Sequence, residues 1–530
     1  TARLALVEFL ARNRSADEAI GTLEGYIEKE PDNYVLRFAL AKIHEAARKV
    51  DDAIATYKAI IERDGTGPNG LTARTRLADL YARLRRFDEA RALLAEVLKE
   101  NPNDQQALVL RGRIAMASGE VPAAISDFRT VLRDQPNSIP LHRLLARAHL
   151  LNKEPELARD TLKKAIAINP RDLSVRSDYI RLLASEGKTD EVVSQLEEVL
   201  EISPDNLGAL ESLFKVQAAR KDWTAAREVA ERIEKKHPDK AMGYYLAGLI
   251  DQAEGRLDQS IDNFEKALER SPDAVQPLTQ LVKSYLALKR PDDALAYLDK
   301  VLEQNPENFV AHNLRGEVLM LKGELEGAGE AFARAIELKP KWPLPYRNLA
   351  ALRLQQGRTD EAVAVYEKGV EATGENPAMI IGLATLYENT GKIDKAIGLY
   401  EDVLVRERDS ELAANNLAML LADYKQDEAS LKRARNLIGP LMDKDNAAYQ
   451  DTVGWVLYRA GDLDGALEHL QRALELAPQA PGLHYHLARV LLDKGDRKGA
   501  LEHLEKAVTD QARYHGLDEA KKLLKKLKKK

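Results

Sequence analysis

The sequence predicts an all-α fold made of repeated helical hairpins, and three observations lead to that prediction. Prolines recur every 34 residues through the middle of the chain, and a small residue keeps the same period. Glycines or cations mark another position with the same spacing. No apolar stretch approaches the ~18 residues of a membrane-spanning helix, and 45% of the 530 residues are hydrophobic, enough for a folded core. A period of this length is typical of helical-repeat solenoids.

The prolines set the length of the repeat. They are Pro68, Pro102, Pro136, Pro170, Pro204, Pro238, Pro272, Pro306 and Pro340. Pro31 precedes this series by 37 residues, so the loop at residues 65–68 holds three extra residues. Beyond Pro340 the register continues without proline, takes a short insertion near residues 425–432 and is restored at Pro478. Each proline is expected to end the second helix of one hairpin.

A small residue stands at one fixed position of every repeat, 22 residues after the proline position in the regular units. The set is Ala19, Ala53, Ala90, Ala124, Ala158, Val192, Ala226, Ser260, Ala294, Ala328, Ala362, Ala396, Ala434, Ala466 and Ala500. Thirteen of these fifteen are alanine, which indicates that two helices approach too closely there for a large side chain. Four residues later a large apolar residue follows in every unit but one, where Ala230 stands. This pairing predicts an apolar stripe on one face of each second helix.

The turn inside each hairpin is equally regular. Eight units place a glycine five residues before the small position, namely Gly119, Gly187, Gly255, Gly323, Gly357, Gly391, Gly461 and Gly495. The other seven carry a cation, namely Arg14, Arg48, Arg85, Lys153, Lys221, Lys289 and, offset by the insertion, Lys425. Glycine accepts the left-handed backbone at a helix C-terminus, and a cation suits the negative end of the helix dipole. We therefore expect a left-handed residue in the turn of each hairpin.

The run from Gly454 to Ala466, continued by Ala473 and Pro478, resembles the tetratricopeptide repeat (TPR). The resemblance covers fifteen units and implies a right-handed superhelical solenoid over residues 1–512. It also implies that the first helix of each pair lines a concave groove and the second forms the convex face. Residues 513–530 are expected to form a capping helix with a lysine-rich tail, as an open solenoid end requires. TPR proteins bind peptides and protein segments, so the resemblance implies a protein partner in the groove.

No group of residues indicates catalysis or a bound cofactor. Residues 65–70 formally fit a phosphate-binding pattern, but no strand precedes them and their proline removes an amide donor. His484 and His486 point to different sides of one helix, and His469 and His503 echo the repeat, so metal ligation is not expected. The absence of cysteine excludes disulfides and thiolate metal sites. We therefore expect a protein that is not an enzyme and holds neither a cofactor nor a metal.

Cationic side chains recur at the expected groove positions of the first helices. They are Arg113, Arg143, Arg147, Arg181, Lys215 and Lys283. One interpretation is a solvated face with local ion pairs. The other is a docking surface for an acidic segment or an anionic polymer. The Lys and Asn residues with which chaperone-binding TPR proteins clamp a peptide carboxylate do not occur in three successive units, so an adaptor of that kind is disfavoured.

The C-terminal groove has a different character, because aromatic and amide side chains gather on three successive first helices. The predicted partner-binding residues there are Asn415, Asn416, Trp455, Tyr458, Tyr485 and Arg489, with Asp451 and His486 beside them. Aromatic and arginine side chains are the usual anchors of binding hot spots. Packing between repeats is the alternative explanation for Trp455 and Tyr458. We expect a binding pocket in which Trp455 and Tyr485 contribute little to folding.

The charge balance excludes a general nucleic-acid binder, because 85 acidic residues outnumber 79 basic ones and the net charge is −6. Seven lysines between residues 521 and 530 are a local exception. They either contact an anionic lipid or polymer or keep the end of the solenoid soluble. Membrane association is expected only through an N-terminal anchor missing from this sequence.

The predicted function is a non-enzymatic scaffold that assembles a bacterial envelope complex. The final three units resemble TPR proteins of exopolysaccharide export and of exosortase/PEP-CTERM sorting. The lack of cysteine favours a periplasmic or envelope-associated location, with the cytoplasm as the alternative. The alternative function is the TPR portion of a larger enzyme, such as a glycosyltransferase, whose catalytic domain lies before Thr1 or after Lys530.

Overall fold

The computed structural model describes residues 2–425 and 427–529. Within these residues the regular structure is helical throughout, which confirms the predicted all-α repeat fold. Thr1, Gln426 and Lys530 lie outside the described residues, and Lys530 is the last lysine of the predicted tail.

The chain forms two compact units that divide after Pro238. The N-terminal unit contains seven helical pairs, and the C-terminal unit contains eight pairs and one final helix. We call the earlier member of each pair the first helix and the later member the second helix. One continuous solenoid over residues 1–512, with a separate cap at residues 513–530, stays a prediction.

The helices of the N-terminal unit pair in chain order. They are α1 (Ala2–Asn13), α2 (Ala16–Lys29), α3 (Tyr34–Ala46), α4 (Val50–Asp64), α5 (Pro68–Arg83), α6 (Phe87–Glu100), α7 (Gln105–Ala117), α8 (Val121–Asp134), α9 (Ile139–Leu151), α10 (Pro155–Ile168), α11 (Leu173–Ser185), α12 (Thr189–Ile202), α13 (Leu207–Ala219) and α14 (Trp223–Lys236). The odd-numbered helices are the first helices. Several of them begin at a side-chain cap, such as Asp104, which accepts a hydrogen bond from the Ala107 amide.

The C-terminal unit continues the same alternation. Its helices are α15 (Met242–Ala253), α16 (Leu257–Arg270), α17 (Val275–Ala287), α18 (Pro291–Gln304), α19 (Phe309–Lys322), α20 (Leu325–Leu338), α21 (Pro343–Gln355), α22 (Thr359–Ala372), α23 (Pro377–Asn389), α24 (Ile393–Arg406), α25 (Glu411–Leu420), α26 (Glu428–Ile438), α27 (Ala447–Arg459), α28 (Leu463–Leu476), α29 (Pro481–Asp493), α30 (Arg497–Ala507) and α31 (Leu517–Lys528). A π-helical turn over Leu421–Lys425 extends α25, and a 3₁₀ turn over Gly439–Leu441 follows α26. The insertion in the repeat register therefore lies in the π-helical turn and the loop after it.

The turns between paired helices have the backbone that the sequence predicts. Gly119 and Gly357 have φ values of 83° and 74°. Arg48 and Lys153 adopt the same left-handed conformation, with φ values of 58° and 60°. Two predicted positions differ, because Arg14 does not have a positive φ and Lys425 ends the π-helical turn.

The small residues of the repeat are the close contacts of the core. All thirteen alanines of the set are fully buried, with 0% exposure. A second close contact, which the sequence analysis missed, joins the large apolar residue of a second helix to a glycine on its first helix. A Cβ atom on Gly112 would lie 2.6 Å from the Phe128 ring, and the pairs Gly248–Phe264 and Gly316–Phe332 repeat this contact. An aromatic ring is therefore seated in a notch that only glycine leaves open.

Candidate functional site

Three of the six predicted groove cations are held in local ion pairs. Arg143 and Arg181 both bind the carboxylate of Asp178, and the Arg181 Nη2 to Asp178 Oδ1 distance is 2.7 Å. The Lys215 Nζ atom lies 2.7 Å from Glu211 Oε1 on the same helix. Their charges are therefore partly compensated by neighbouring carboxylates, as expected for a solvated face.

The other three cations are exposed and have no ion-pair partner among the described residues. They are Arg113, Arg147 and Lys283. Lys283 belongs to the C-terminal unit, whereas the other five predicted cations belong to the N-terminal unit. Within the N-terminal unit, the uncompensated positive charge of the predicted set therefore lies on α7 and α9.

Arg113 lines a recess of about 610 Å³ on the first-helix face of the N-terminal unit. The walls come mainly from α3, α5 and α7. Its polar lining includes Lys42, Arg76, Arg83 and Gln105 as well as Arg113. This volume lies within the usual range of ligand pockets, about 300–1,000 Å³.

The two carboxylates in the recess, Glu45 and Asp79, already have partners within the chain. Arg83 forms ion pairs with both Glu45 and Asp79. The Tyr57 hydroxyl also donates a hydrogen bond to Glu45 Oε1, at 2.7 Å, and burial raises the pKa of Tyr57.

Three cations of the recess are left without an acidic partner. Lys42, Arg76 and Arg113 form no ion pair among the described residues, although the Arg76 guanidinium stacks over the Phe38 ring at 4.6 Å. The recess therefore presents a net positive charge to a ligand.

The sequence contains a signal for part of this recess. Lys42 stands eleven residues after Pro31, as Arg113 stands eleven residues after Pro102. The two cations therefore occupy the same repeat position. Arg76 falls at a different repeat position, so only the packing of neighbouring first helices brings it beside Arg113.

The predicted exposure of Trp455 and Tyr485 is wrong. Trp455 and Tyr485 are each 3% exposed and belong to the hydrophobic core of the C-terminal unit. Asn415, at 8% exposure, is also buried, and Asn416 donates a hydrogen bond to the Tyr400 hydroxyl at 3.1 Å. The segment after α30 covers Tyr485, whereas Trp455 is enclosed by Tyr458, by His486 on α29 and by Asp423 in the π-helical turn.

Trp455 is fixed by one contact at its Nε1 edge and others on its ring face. Its indole Nε1 donates a hydrogen bond to Asp423 Oδ1 at 2.6 Å. Its ring stacks on His486 at a centroid distance of 4.1 Å and lies 5.0 Å from the ring of Tyr458. His486 is in turn paired with Asp451, with 2.7 Å between Nδ1 and Oδ1. These contacts make Trp455 a structural residue.

Tyr458 and Arg489 are partly exposed, as predicted, but both have intramolecular partners. Tyr458 donates a hydrogen bond to Asp493 Oδ2 at 2.7 Å. Arg489 donates one to Glu519 Oε1 on α31 at 2.5 Å and one to the Tyr458 hydroxyl at 3.2 Å. A partner that uses Arg489 has to compete with Glu519 on α31, and one that uses Tyr458 has to compete with Asp493 on α29.

The Asp423 carboxylate gives the surface beside Trp455 an anionic character. Burial raises the pKa of Glu388, which faces Asp423. Burial also pushes the pKa of Asp423 upward, but donors from His515 and Trp455 outweigh it and hold that pKa below its usual range. The Asp423 carboxylate in turn raises the pKa of His515. Asp423 is therefore an ionised carboxylate that favours a cation beside it.

The equivalent histidines of successive repeats, His469 and His503, do not have equivalent contacts. His484 Nδ1 lies 2.9 Å from His503 Nδ1, and burial lowers the pKa of both. His486 faces the other side of α29, as predicted. His469 bonds to Gln450 Oε1 at 2.7 Å and does not stack on His503. Among the described residues, no three His, Asp or Glu side chains gather as a metal-ion site.

The loop at residues 65–70 has no free phosphate cradle. Asp64 Oδ2 accepts hydrogen bonds from the amides of Asn69 and Gly70, each at 2.8 Å. These two amides already have an anionic partner within the chain.

In the described parts of the chain, every helix is too short or too polar to span a bilayer.

Comparison with known proteins finds repeats along most of the chain. Models described as "Tetratricopeptide repeat" match residues 10–69, 115–182, 183–249, 353–423 and 457–527, residues 75–139 and 279–343, and residues 243–274.

Two relatives and one solved structure illustrate the similarity. TPR repeat-containing protein YpiA of Bacillus subtilis is 22% identical over 294 residues, which are 55% of this chain and 68% of that protein. Protein O-mannosyl-transferase TMTC3 of Homo sapiens is 22% identical over 54% of this chain, but the match spans only 28% of that protein. A chain in the structure of Naa15/Naa10 bound to HypK-THB aligns over 99% of this chain and 100% of its own length, with 15% identity and a TM-score of 0.43.

The helical pairs, their left-handed turns and their buried alanines agree with the repeat models that match most of the sequence. This chain belongs to the tetratricopeptide repeat family.

Proposed function

We propose that this protein is a non-enzymatic scaffold that holds an acidic protein segment against the first-helix face of its N-terminal unit. The repeat matches along the chain support a protein-interaction scaffold. The finer proposal rests on one observation, the positively charged recess around Arg113.

The recess suits an extended acidic segment because of its charge and its polar lining. Lys42, Arg76 and Arg113 supply uncompensated cations, while Gln105 and Gln135 supply amide groups that can bond to a peptide backbone. Arg83 pairs with both local carboxylates, which weakens their repulsion of an incoming anion. Guanidinium groups can bind carboxylates through two parallel hydrogen bonds, which adds geometric selectivity to the attraction.

Reversal of charge in the recess tests this function. We expect the double variant Arg76→Glu/Arg113→Glu to bind a fluorescent Asp/Glu-rich decapeptide about tenfold or more weakly than the wild type, measured by fluorescence anisotropy at 50 mM and 200 mM salt. Both side chains are exposed, so the helicity should stay unchanged and the unfolding midpoint should fall only slightly, through loss of the Arg76–Phe38 contact.

A matched control separates the recess from the overall charge. Lys58→Glu/Arg133→Glu makes the same change in net charge on two exposed second-helix residues, Lys58 on α4 and Arg133 on α8. It should reduce the affinity only slightly. Equal losses in the two double variants, or no loss in either, would contradict a specific acidic-segment site.

The place of this scaffold in a bacterial envelope complex is part of the same proposal. The resemblance of the last three repeats to exopolysaccharide-export and PEP-CTERM-associated proteins supports it, and the absence of cysteine is consistent with an oxidising compartment. Affinity purification from the native organism, with mass spectrometry and cell fractionation, is the test. Recovery of cytosolic partners from the cytosolic fraction alone would favour the cytoplasmic alternative.

One observation favours a second function, the repeat portion of a larger glycosyltransferase. It is the match to Protein O-mannosyl-transferase TMTC3 over 54% of this chain. The full reading frame decides between the two, because a glycosyltransferase requires a catalytic domain outside these repeats.

A further inference from the structure

The segment between α30 and α31 lies across first helices of the C-terminal unit. We call residues 508–516 the strap. The Tyr514 ring lies 5.8 Å from the Tyr485 ring on α29. Gly516 has a φ of 94°, and a Cβ atom there would lie 2.6 Å from the Tyr485 ring. The strap therefore packs closely on α29 at a position that accepts only glycine.

The strap also contacts a helix two repeats earlier in the chain, through His515. His515 Nδ1 lies 3.4 Å from Asp423 Oδ2, in the π-helical turn that extends α25. The His515 ring is also 5.3 Å from the ring of Tyr424. Since α25, α27 and α29 are successive first helices, the strap occupies the face where a groove ligand is expected.

The final helix completes this intramolecular cover. Glu519 on α31 accepts hydrogen bonds from the Tyr485 hydroxyl, at 2.9 Å, and from Arg489. Ala512 and Ala520 are buried, with 2% and 0% exposure. The strap and α31 thus shield Tyr485, which was expected to be open to a ligand.

The strap is an imperfect occupant of this face. The Tyr514 hydroxyl is buried and has no hydrogen-bond partner in the described structure, which is unfavourable. The 3.4 Å separation of His515 from Asp423 is longer than the ~2.8 Å of a good charge-assisted hydrogen bond, and the His515 side chain is 67% exposed. A phenylalanine has no hydroxyl to bury, and an arginine reaches farther than a histidine.

We propose that this face binds an extended partner segment in which an aromatic residue is followed by a basic residue, and that the strap is its intramolecular competitor. The aromatic side chain takes the place of Tyr514 on Tyr485, and the basic side chain pairs with Asp423. This surface is separate from the proposed acidic-segment recess and selects the opposite charge.

Release of the strap tests the proposal in the full chain. The probe is a fluorescent peptide of sequence TDQARFRGLD, which carries the strap sequence with Phe and Arg at the two contact positions. Because an intramolecular competitor lowers the apparent affinity by the fraction of time that it is bound, Tyr514→Ala/His515→Ala should bind the probe about tenfold more tightly than the wild type. Adding Asp423→Asn, whose amide oxygen still accepts from Trp455, should reverse that gain.

A control peptide checks the chemistry of recognition. The sequence TDQARSEGLD replaces the aromatic–basic pair and should not bind either protein. Equal affinity of the wild type and the released variant for the first probe, binding of the control peptide, or no effect of Asp423→Asn would each overturn the proposal.

If the released variant loses helicity, hydrogen exchange of the wild-type protein tests whether the peptide displaces the strap. With saturating TDQARFRGLD peptide, the amides of residues 508–516 should exchange faster, because the strap is displaced. Amides in the first helices beneath should not lose protection. Unchanged exchange in the strap would overturn the competition.

Discussion

At the scale of single residues, Trp455 shows how neighbouring side chains change the role of a repeat position. Its ring face stacks on His486 and its indole Nε1 donates a hydrogen bond to Asp423, so both the face and the Nε1 edge are enclosed. The same face of a first helix carries exposed cations such as Arg113 in the N-terminal unit. The difference lies in what covers the face rather than in the helix.

Truncation of this side chain should destabilise the C-terminal unit. We expect Trp455→Ala to lower the free energy of unfolding by about 3–5 kcal/mol, since it removes a large buried aromatic and leaves a cavity. Trp455→Phe should cost less, about 1–3 kcal/mol, because it mainly deprives Asp423 of a donor. Urea denaturation followed by circular dichroism measures both effects.

An exposed residue in the same region serves as the control. Leu412 on α25 is 47% exposed, and Leu412→Ala should change the free energy of unfolding by less than about 0.5 kcal/mol. A Trp455→Ala variant as stable as Leu412→Ala would contradict the structural role of Trp455.

At the scale of the elements, a left-handed turn residue ends most of the first helices and allows the second helix to fold back. Gly357 occupies this turn with a φ of 74°, and no atom lies within 4 Å of the site of a Cβ. Any cost of a side chain there is therefore a cost of backbone conformation alone. Gly398, inside α24, has equally open space and no positive φ.

These two glycines give opposite predictions for the same substitution. Gly357→Ala should destabilise by about 1 kcal/mol, because an L-residue is forced into the left-handed region. Gly398→Ala should stabilise by about 0.5–1 kcal/mol, because alanine restricts the unfolded chain and favours the helix. Chemical denaturation of both single variants is the measurement, and effects of the same sign would refute the backbone argument.

At the scale of the whole molecule, stability in a repeat array is expected to come from contacts between neighbouring pairs. Among the described residues, the last pair packs against α28 on one side, and α31 packs on the other through Ala520, Leu523 and Leu524. Its lysines face solvent, so the helix combines an apolar contact face with a polar outer face.

Removal of residues 513–530 should therefore have a local effect. We expect amide exchange to rise in α25 to α30, where the strap and α31 make their contacts, and to stay unchanged in residues 2–238. Mass spectrometry of exchanged peptides from the truncated and full chains gives the comparison. Loss of protection throughout the chain would show one cooperative unit instead of local coupling.

The sequence predicts what depends on contacts within one hairpin. Ala294 and the other small positions are buried, and Arg48 and Lys153 take the left-handed turn, because each repeat carries the information for its own hairpin. Part of the N-terminal recess is also readable, since Lys42 and Arg113 share a repeat position.

The remaining features were decided by tertiary structure. Arg76 reaches the recess through the packing of successive first helices, and Arg143 is compensated by Asp178, 35 residues away. The burial of Tyr485 depends on the strap, whose His515 contacts Asp423 roughly 90 residues earlier in the chain. A periodic sequence specifies each hairpin, whereas the side chains that meet between neighbouring or distant repeats depend on how the packed helices bring them together.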